Sequence, residues 1–537
     1  MRTAAILSLA CLVSPAGAAA GLTPLNELGL GTYLGVQGGL YPGGSNHPPP
    51  AHLEAALREG REVVPRDAAG NPSPDGLIGW VSIGMSNTTQ EFKVFERDSD
   101  ADPRRNARVV LVNGAAGGMS SQEWRDIAHP VWAMLDERLE AAGVAPAQVQ
   151  LVWLKAAQGA PATTAFPAHA LDLENDLRLI VRNLRDRFPN ARLCYLSSRI
   201  YGGWSDRPDR GEPLSYETGF SVKWLIEDQI AGDPGLEFDP VRGPVEAPLL
   251  LWGPYLWADG EVPRADGLAW LREDLEADAI HPSPSGERKV GDLLLRFFEV
   301  EETARAWWGP DDRTDRVAID AIADASVDSA SPSLNTGGNT FLRTVGVTSV
   351  GRAYMKFDAG GREVVHAKLS LRTLSEGLGL LRSSADTGWS EAAITWANAP
   401  PPDAGSLGAI PRWSPDSSMT HDVAGTVRAD ADGVVTLVVE GTDATVRRSQ
   451  ARESGEPPRL ILIVPTARIT VRLEKDLASA GVVLRWNDTG LGPFTVRRAL
   501  GPTPAHFDEA VRTSVAGTEH LDAGALGAPQ SYWYLIE

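Results

Sequence analysis

Between residues 77 and 298 the chain alternates short, nearly continuous apolar runs with stretches of helical periodicity, and few folds accommodate that rhythm. The apolar runs span 77–83, 109–112, 149–154, 193–196 and 249–252, and most of them run into Gly, Asn or Ser. Strands this short that are apolar on both faces belong in a parallel sheet covered from both sides. Helical patterns occupy 121–142, 170–188 and 216–230. In the second, Leu173, Leu177, Ile180, Val181 and Leu184 recur at the spacing of one helix face. The alternation predicts an α/β domain with a doubly wound parallel sheet, in which ligands bind beyond the carboxyl ends of the strands.

The rhythm stops after Trp308-Gly309-Pro310. From 316 to 464, short β-type runs separated by Gly, Ser, Asp and Pro predict an all-β sandwich or jelly roll. The last segment has strand signals at 482–486, 494–497 and 532–536 and is long enough only for a small β-sandwich. A chain of 537 residues is too long for one core. The expected organisation is a leader at 1–20, an α/β domain at 21–308, a linker at 309–315, and two β domains at 316–464 and 465–537.

Residues 1–20 have the layout of a secretory signal: Arg2, an apolar stretch at 4–13, and a small-residue cleavage site at Ala16-Gly17-Ala18 or Ala18-Ala19-Ala20. The apolar stretch is too short to span a bilayer, and no other run reaches that length, so the expectation is a secreted, periplasmic or cell-surface protein without a membrane span. Fifty basic against 70 acidic residues leave a formal net charge of −20, which argues against nucleic acid or anionic lipid as partner. Of the two cysteines, Cys11 lies in the leader and Cys194 in an apolar run, so no disulfide is expected. No His/Cys spacing suggests a metal site, and nothing implies a cofactor.

Two segments carry chemistry. The first apolar run leads straight into Gly84-Met85-Ser86-Asn87, and Asp278-Ala279-Ile280-His281-Pro282-Ser283 lies about 190 residues downstream before a helical stretch through 298. A Ser at a strand-to-helix turn attacks a carbonyl when an imidazole takes its proton, and an Asp on the same loop holds that ring in the right tautomer. Taken singly, Ser86 and Asp278 also suit helix caps. Their joint occurrence with His281 is what points to a nucleophile.

These blocks resemble the SGNH, or GDSL-type, hydrolases, flavodoxin-like three-layer α/β esterases. The resemblance covers about 76–300. It rests on Gly84 and Ser86, on Asn113-Gly114-Ala115-Ala116-Gly117-Gly118 after the second strand, and on Asp278 to His281 with Gly286 beyond. It implies Ser86, Asp278 and His281 as a triad, with the amides of Ser86 and Gly118 in the oxyanion hole. Two departures stand out: Met85 replaces the usual Asp, and the third strand ends in Lys155-Ala156-Ala157-Gln158 in place of Gly-x-Asn-Asp. Lys155 or Gln158 is then the expected side-chain donor to the oxyanion. Asn87, Asn113 and Arg199 fall at the same strand ends and are expected to contact substrate. Tyr201, Trp204, Tyr255 and Trp257 are there too, as rings for stacking on sugar or as core packing.

Residues 316–464 resemble the DNRLRE-type β-sandwich, a relative of carbohydrate-binding modules. The match is carried by Ala323-Asp324-Ala325-Ser326-Val327, by Arg352-Ala353-Tyr354-Met355-Lys356-Phe357-Asp358, and by Trp389-Ser390-Glu391 with Ile394-Thr395-Trp396-Ala397-Asn398-Ala399-Pro400. Residues 470–537 more weakly resemble a fibronectin type III-like domain, through Val482-Val483-Leu484-Arg485-Trp486 and Tyr532-Trp533-Tyr534. The whole then reads as an exported serine ester hydrolase acting on polysaccharide or acylated carbohydrate, removing acetyl or similar groups. The alternatives are a non-catalytic glycan-binding or adhesion protein on the same fold, and an esterase for free lipid esters.

Overall fold

The computed structural model describes residues 21–309 apart from 103, residues 314–465 apart from 348, 376, 414–417 and 430–432, and six strands of the last segment. The expected leader, with Cys11, and most of the expected linker at 309–315 lie outside the described residues. The chain forms two compact units, one of residues 1–310 with 316–464, the other of residues 311–315 with 465–537.

All five apolar runs become strands of one parallel sheet: β1 (Ile78–Gly84), β2 (Val109–Val112), β3 (Val149–Lys155), β4 (Leu193–Leu196) and β5 (Leu249–Trp252). Their order is 2-1-3-4-5. Every residue in them is buried, so both faces of the sheet are covered. The strand order reverses between β1 and β3, and the ligand crevice of such a sheet opens there.

Six longer helices accompany the sheet: α1 (Pro50–Arg61), α2 (Ser86–Ala101), α3 (Val131–Ala141), α4 (Ala168–Arg187), α5 (Leu214–Ala231) and α6 (Pro284–Val300). Helix α1 adds to the expected elements. Pro50 suits its first position, where a missing N–H loses no intrahelical bond. The single pattern at 121–142 divides into one turn, Ser121–Trp124, and α3. Pro130 stands at the N-cap of α3, where a missing N–H loses no intrahelical bond.

Helices α2 and α6 are held together and to β1. Trp80 of β1 is fully buried, with the rings of Phe95, Phe298, Trp307 and Trp308 at centroid distances of 5.3, 4.5, 5.4 and 5.9 Å. A Cβ on Gly291 of α6 would stand 2.7 Å from Val94 of α2, so that glycine permits the close approach. Lys93 of α2 and Glu287 of α6 pair at 3.1 Å with both side chains buried.

The described residues from 314 to 465 are all-β apart from short helical turns. Their strands are β6 (Thr314–Asp320), β7 (Ala323–Asp328), β8 (Phe341–Thr344), β9 (Gly351–Asp358), β10 (His366–Arg372), β11 (Gly377–Ser384), β12 (Gly408–Trp413), β13 (Ser418–Asp422), β14 (Val434–Gly441), β15 (Arg447–Gln450) and β16 (Arg459–Pro465). They form a five-stranded sheet in the order 12-11-14-9-7, a four-stranded sheet in the order 13-10-16-6, and the pair β8-β15. Alternation is plain in β9. Ala353, Met355 and Phe357 enter a core with Leu369, Leu437 and Leu460, while Tyr354 on the other face packs with Trp389, Ile394 and Val438. The last segment carries two three-stranded sheets, Val471–Asp476, Gly481–Trp486 and Glu519–Asp522, and Glu509–Val515, Phe494–Leu500 and Tyr532–Ile536.

The α/β part and the sandwich of the first unit share a buried charge cluster. Asp100 near the end of α2 accepts from Arg105 at 2.6 Å and pairs with Lys368 of β10 at 2.7 Å and with Arg316 of β6. Arg316 also donates to the Val109 carbonyl at 2.8 Å, and Glu96 lies 3.4 Å from Lys368. Burial opposes ionisation of Asp100, but Lys368, Arg316 and Arg105 hold its carboxyl well below the usual range. Burial pushes Glu96 up to about 7 against the pull of Lys368. Replacing Asp100 by Asn therefore takes the carboxylate from buried Arg105 and Arg316 and leaves Lys368 with Glu96 alone. Asp100→Asn is expected to cost about 3–5 kcal/mol in chemical denaturation, the range for a broken buried pair. A loss below about 1 kcal/mol, the scale of an exposed pair, would mean the cluster is hydrated.

Candidate functional site

The site begins at the turn after β1. The Gly84 carbonyl accepts from the Ala116 N–H at 3.0 Å and from the indole of Trp124 at 2.9 Å. Gly84 has φ +153°, and a Cβ there would stand 2.0 Å from the Lys155 carbonyl. No side chain fits between β1 and β3 at this point. Helix α2 starts two residues later at Ser86, after extended backbone at Met85. The first N–H groups of a helix have no intrahelical acceptor, and this end of the helix dipole is positive. Ser86 is thus presented where a developing negative charge is favoured.

His281 comes from the loop before α6. Its Nε2 lies 2.8 Å from Ser86 Oγ, and its Nδ1 lies 2.5 Å from Asp278 Oδ2. A carboxylate only accepts, so the ring carries its proton on Nδ1 and Nε2 accepts from the Ser86 hydroxyl. The other oxygen of Asp278 accepts the N–H groups of Ile280 and His281, each at 3.0 Å. Burial opposes ionisation of this carboxyl, but the His281 ring and those two amides hold it below the usual range. Ala279 pays for the tight loop with φ +55°, a conformation seldom taken by a residue with a Cβ. Asn87 fixes the loop to α2 by donating to the Ile280 carbonyl at 2.9 Å.

The expected side-chain donors to an oxyanion are bonded elsewhere. The Lys155 ammonium is buried and grips both carboxylate oxygens of Glu91 on α2. Burial pushes Glu91 up and Lys155 down in pKa, each restrained by the other. Gln158 donates to Asp176 at 3.1 Å. Asp176 also takes Ser121 at 2.8 Å and Arg125 at 2.5 Å. Lys155 is thus corrected from oxyanion donor to structural ion pair, and Gln158 to a ligand of Asp176. Gly118 is exposed with φ +76°, and among the described residues its N–H meets no acceptor.

Most residues expected to touch substrate are packed inward. Asn113 is fully buried, accepts from Ser82 at 3.1 Å and donates to the Thr89 carbonyl at 2.8 Å. Asn87 serves the histidine loop. Trp257 is fully buried and its indole donates to Glu212 at 2.9 Å. The Tyr255 hydroxyl accepts from the Leu25 N–H at 3.2 Å, with Arg264 over its ring. Tyr201 lies buried between Trp204 and Trp257 at 6.1 and 6.2 Å, and Trp204 is partly buried. Of the two readings of these rings, core packing holds for Tyr201, Tyr255 and Trp257. Arg199 lines a hollow beyond the ends of β3 and β4. Sequence reasoning missed Glu91. An acidic residue at a helix position that faces a strand-end Lys was the available signal.

In the sandwich, Trp389 is buried with Lys356 over its ring at 4.6 Å, and Arg352 covers Trp396 at 4.8 Å. Asp324, Glu391 and Glu453 gather their carboxylates closely enough for a cation. Arg452 is already among them. Its backbone N–H donates to Asp324 at 2.8 Å, and its guanidinium pairs with Glu391 at 2.5 Å and Glu453 at 3.1 Å.

Residues 315–464 match the family model for carbohydrate-binding module family 96. No curated protein matches the chain. Among solved structures it is similar to the β-glucuronidase of Ruminococcus gnavus, with 13% identity over 42% of this chain and 42% of that chain and a TM-score of 0.16. The complex of a β-glucuronidase from Ruminococcus gnavus with D-glucuronic acid gives 11% identity, 42% and 40% coverage and a TM-score of 0.16. The chain spans about two-fifths of the length of these enzymes, and overlap at that score is too slight to bear on fold or activity.

If Lys155 serves Glu91 rather than an oxyanion, removing it damages the fold. Lys155→Met is expected to lower the unfolding free energy by about 3–5 kcal/mol, because it leaves a carboxylate buried and unpaired. Lys155→Met with Glu91→Leu should recover much of that loss. An unchanged denaturation midpoint in the single variant would return Lys155 to the site.

Proposed function

We propose that the α/β domain is a serine ester hydrolase of the SGNH type acting on acylated glycans. The observation that carries this reading is the continuous run from Ser86 Oγ to His281 Nε2 at 2.8 Å and from His281 Nδ1 to Asp278 at 2.5 Å. Both distances are within the reach proton transfer needs. In the proposed reaction, His281 takes the Ser86 proton as Oγ attacks the ester carbonyl. The tetrahedral oxyanion sits at the start of α2, against the N–H groups of Ser86 and Gly118. His281 then protonates the departing alcohol, and the acyl group stays on Ser86. Water, deprotonated by His281, releases the acid. Asp278 orients the ring and stabilises its charged form. The chemistry needs no cofactor.

The glycan part is supported by the family match of residues 315–464, since a carbohydrate-binding module suggests polysaccharide as the partner. It fits an exported protein, and no described helix is long and apolar enough to cross a membrane. The small final segment is proposed to be a fibronectin type III-like spacer. A second reading, a non-catalytic glycan-binding protein, is favoured by one observation: Lys155 and Gln158 are both bonded elsewhere, which leaves the oxyanion to backbone donors.

Hydrolysis of a chromogenic acetate by the full chain separates the two readings. Ser86→Ala is expected to lower kcat by roughly 10⁴–10⁶-fold, and Asp278→Asn by about 10⁴-fold, with the circular dichroism spectrum unchanged. Both proteins should still be retained by insoluble polysaccharide. Retention with no ester hydrolysed by the wild type, or equal rates in Ser86→Ala, would replace the hydrolase by the binding protein.

A further inference from the structure

A small hollow, open to solvent, lies at the carboxyl edge of the sheet beyond β3 and β4, lined by Gln158, His169, Arg199, Asp209 and Thr218 among others. Arg199 is only 9% exposed. Its Nη1 donates to the Arg210 carbonyl at 2.9 Å, and its backbone N–H to Thr218 at 3.2 Å. Among the described residues no carboxylate lies within ion-pair distance of its guanidinium. The nearby acids are engaged by other donors. Glu91 is held by Lys155, and Asp209 by Arg207 at 2.9 Å and Arg210 at 3.6 Å. Glu217 is held by His169 and by the Tyr33 hydroxyl at 2.6 Å. Glu212 accepts from Gly202 at 2.8 Å, Tyr216 at 3.0 Å and Trp257 at 2.9 Å.

A buried guanidinium with no counter-ion is costly unless something else supplies the anion. Burial, against the pull of Glu212, brings Arg199 down to about 10, so it stays charged near neutrality. Its remaining N–H donors form a planar fork that suits a carboxylate. The position fits a neighbour of the reacting ester. Ser86 follows β1 and the hollow follows β3 and β4, which lie one and two strand spacings of about 5 Å along the same sheet. That is the scale of neighbouring groups on a glycan.

We propose that this hollow receives the carboxylate of an acidic sugar, with Arg199 as its donor, and that the protein's substrate is an ester of a uronate-containing glycan. The substrate half of this statement rests on the hydrolase reading; the anion site does not. The test therefore begins with binding. The full chain carrying Ser86→Ala is titrated calorimetrically with oligogalacturonate, with a neutral cello-oligosaccharide and with a sulfated oligosaccharide. The expected result is a preference for the uronate, and a component of that binding weakened at least tenfold by Arg199→Gln. Arg199→Lys, which keeps the charge but loses the fork, should weaken it less. The lysine variant also guards against loss of fold, checked by thermal melting.

With Ser86 present, Arg199→Gln should raise KM for an acetylated uronate far more than it lowers kcat. Equal binding of uronate and neutral glycan, or no component that depends on Arg199, overturns the proposal. Preference for the sulfated ligand overturns its carboxylate part. Arg199-dependent uronate binding without ester hydrolysis keeps the anion site and sinks the hydrolase. Hydrolysis of the acetylated uronate with an unchanged KM in Arg199→Gln does the reverse.

Discussion

The site depends on how closely helix α2 is clamped to helix α6. Ser86 opens α2, and His281 lies on the loop that feeds α6, 195 positions further along the chain. Three contacts bring them together. Gly291 lets the helix backbones approach, the Lys93–Glu287 pair bridges them in a dry environment, and Phe95 and Phe298 close on Trp80 from the two helices. A buried ion pair contributes little net stability but penalises any arrangement that separates its members. The proposed proton transfer requires that, since it must span less than about 3.2 Å. Asn87 adds a last constraint by tying the histidine loop to the first turn of α2.

The carboxyl end of β3 explains why this site is built differently from the pattern its motifs resemble. The Lys155 side chain turns beneath α2 to Glu91, and its carbonyl receives the Thr88 hydroxyl at 2.6 Å. Both contacts fasten α2 to the neighbouring strand from below. Residue 155 therefore supports the helix that begins at Ser86, and in the proposed reaction the oxyanion is left to backbone N–H groups. Such groups cost no rotamer entropy to orient.

The β-sandwich is joined to the α/β part by buried side chains as well as by chain. Lys368 and Arg316 reach from β10 and β6 to Glu96 and Asp100, at the end of α2 away from Ser86. One helix thus carries the proposed nucleophile at its start and the joint to the carbohydrate-binding module at its end. Arg97 extends the joint at the surface through Glu456, which Arg372 also holds. Such a joint fixes where a glycan held by the module lies relative to Ser86, which a flexible linker would leave open.

Much of the architecture was legible in the residues. The runs at 109–112, 193–196 and 249–252 coincide with strands β2, β4 and β5, because a strand apolar on both faces has no alternative to a doubly covered parallel sheet. The Asp278-to-His281 spacing is equally local, since a loop of four residues can bring a carboxylate to its own histidine without outside help. The periodicity changes after 308, and Trp307 and Trp308 pack on Trp80, while residues 1–310 and 316–464 gather in one compact unit. What depended on distant neighbours was not legible. A Lys at a strand end looks the same in sequence whether it faces an oxyanion or Glu91, and Tyr201, Tyr255 and Trp257 look the same whether exposed or buried. Burial and pairing are properties of two elements at once, and local periodicity reports on one. The sequence by itself therefore determined the parallel strands, the layers around them and the short loop that joins Asp278 to His281. Only the tertiary structure decided that Lys155 is a buttress, that Arg199 has no carboxylate partner among the described residues, and that the sandwich is bonded to α2, because each is set by which side chains the fold brings together.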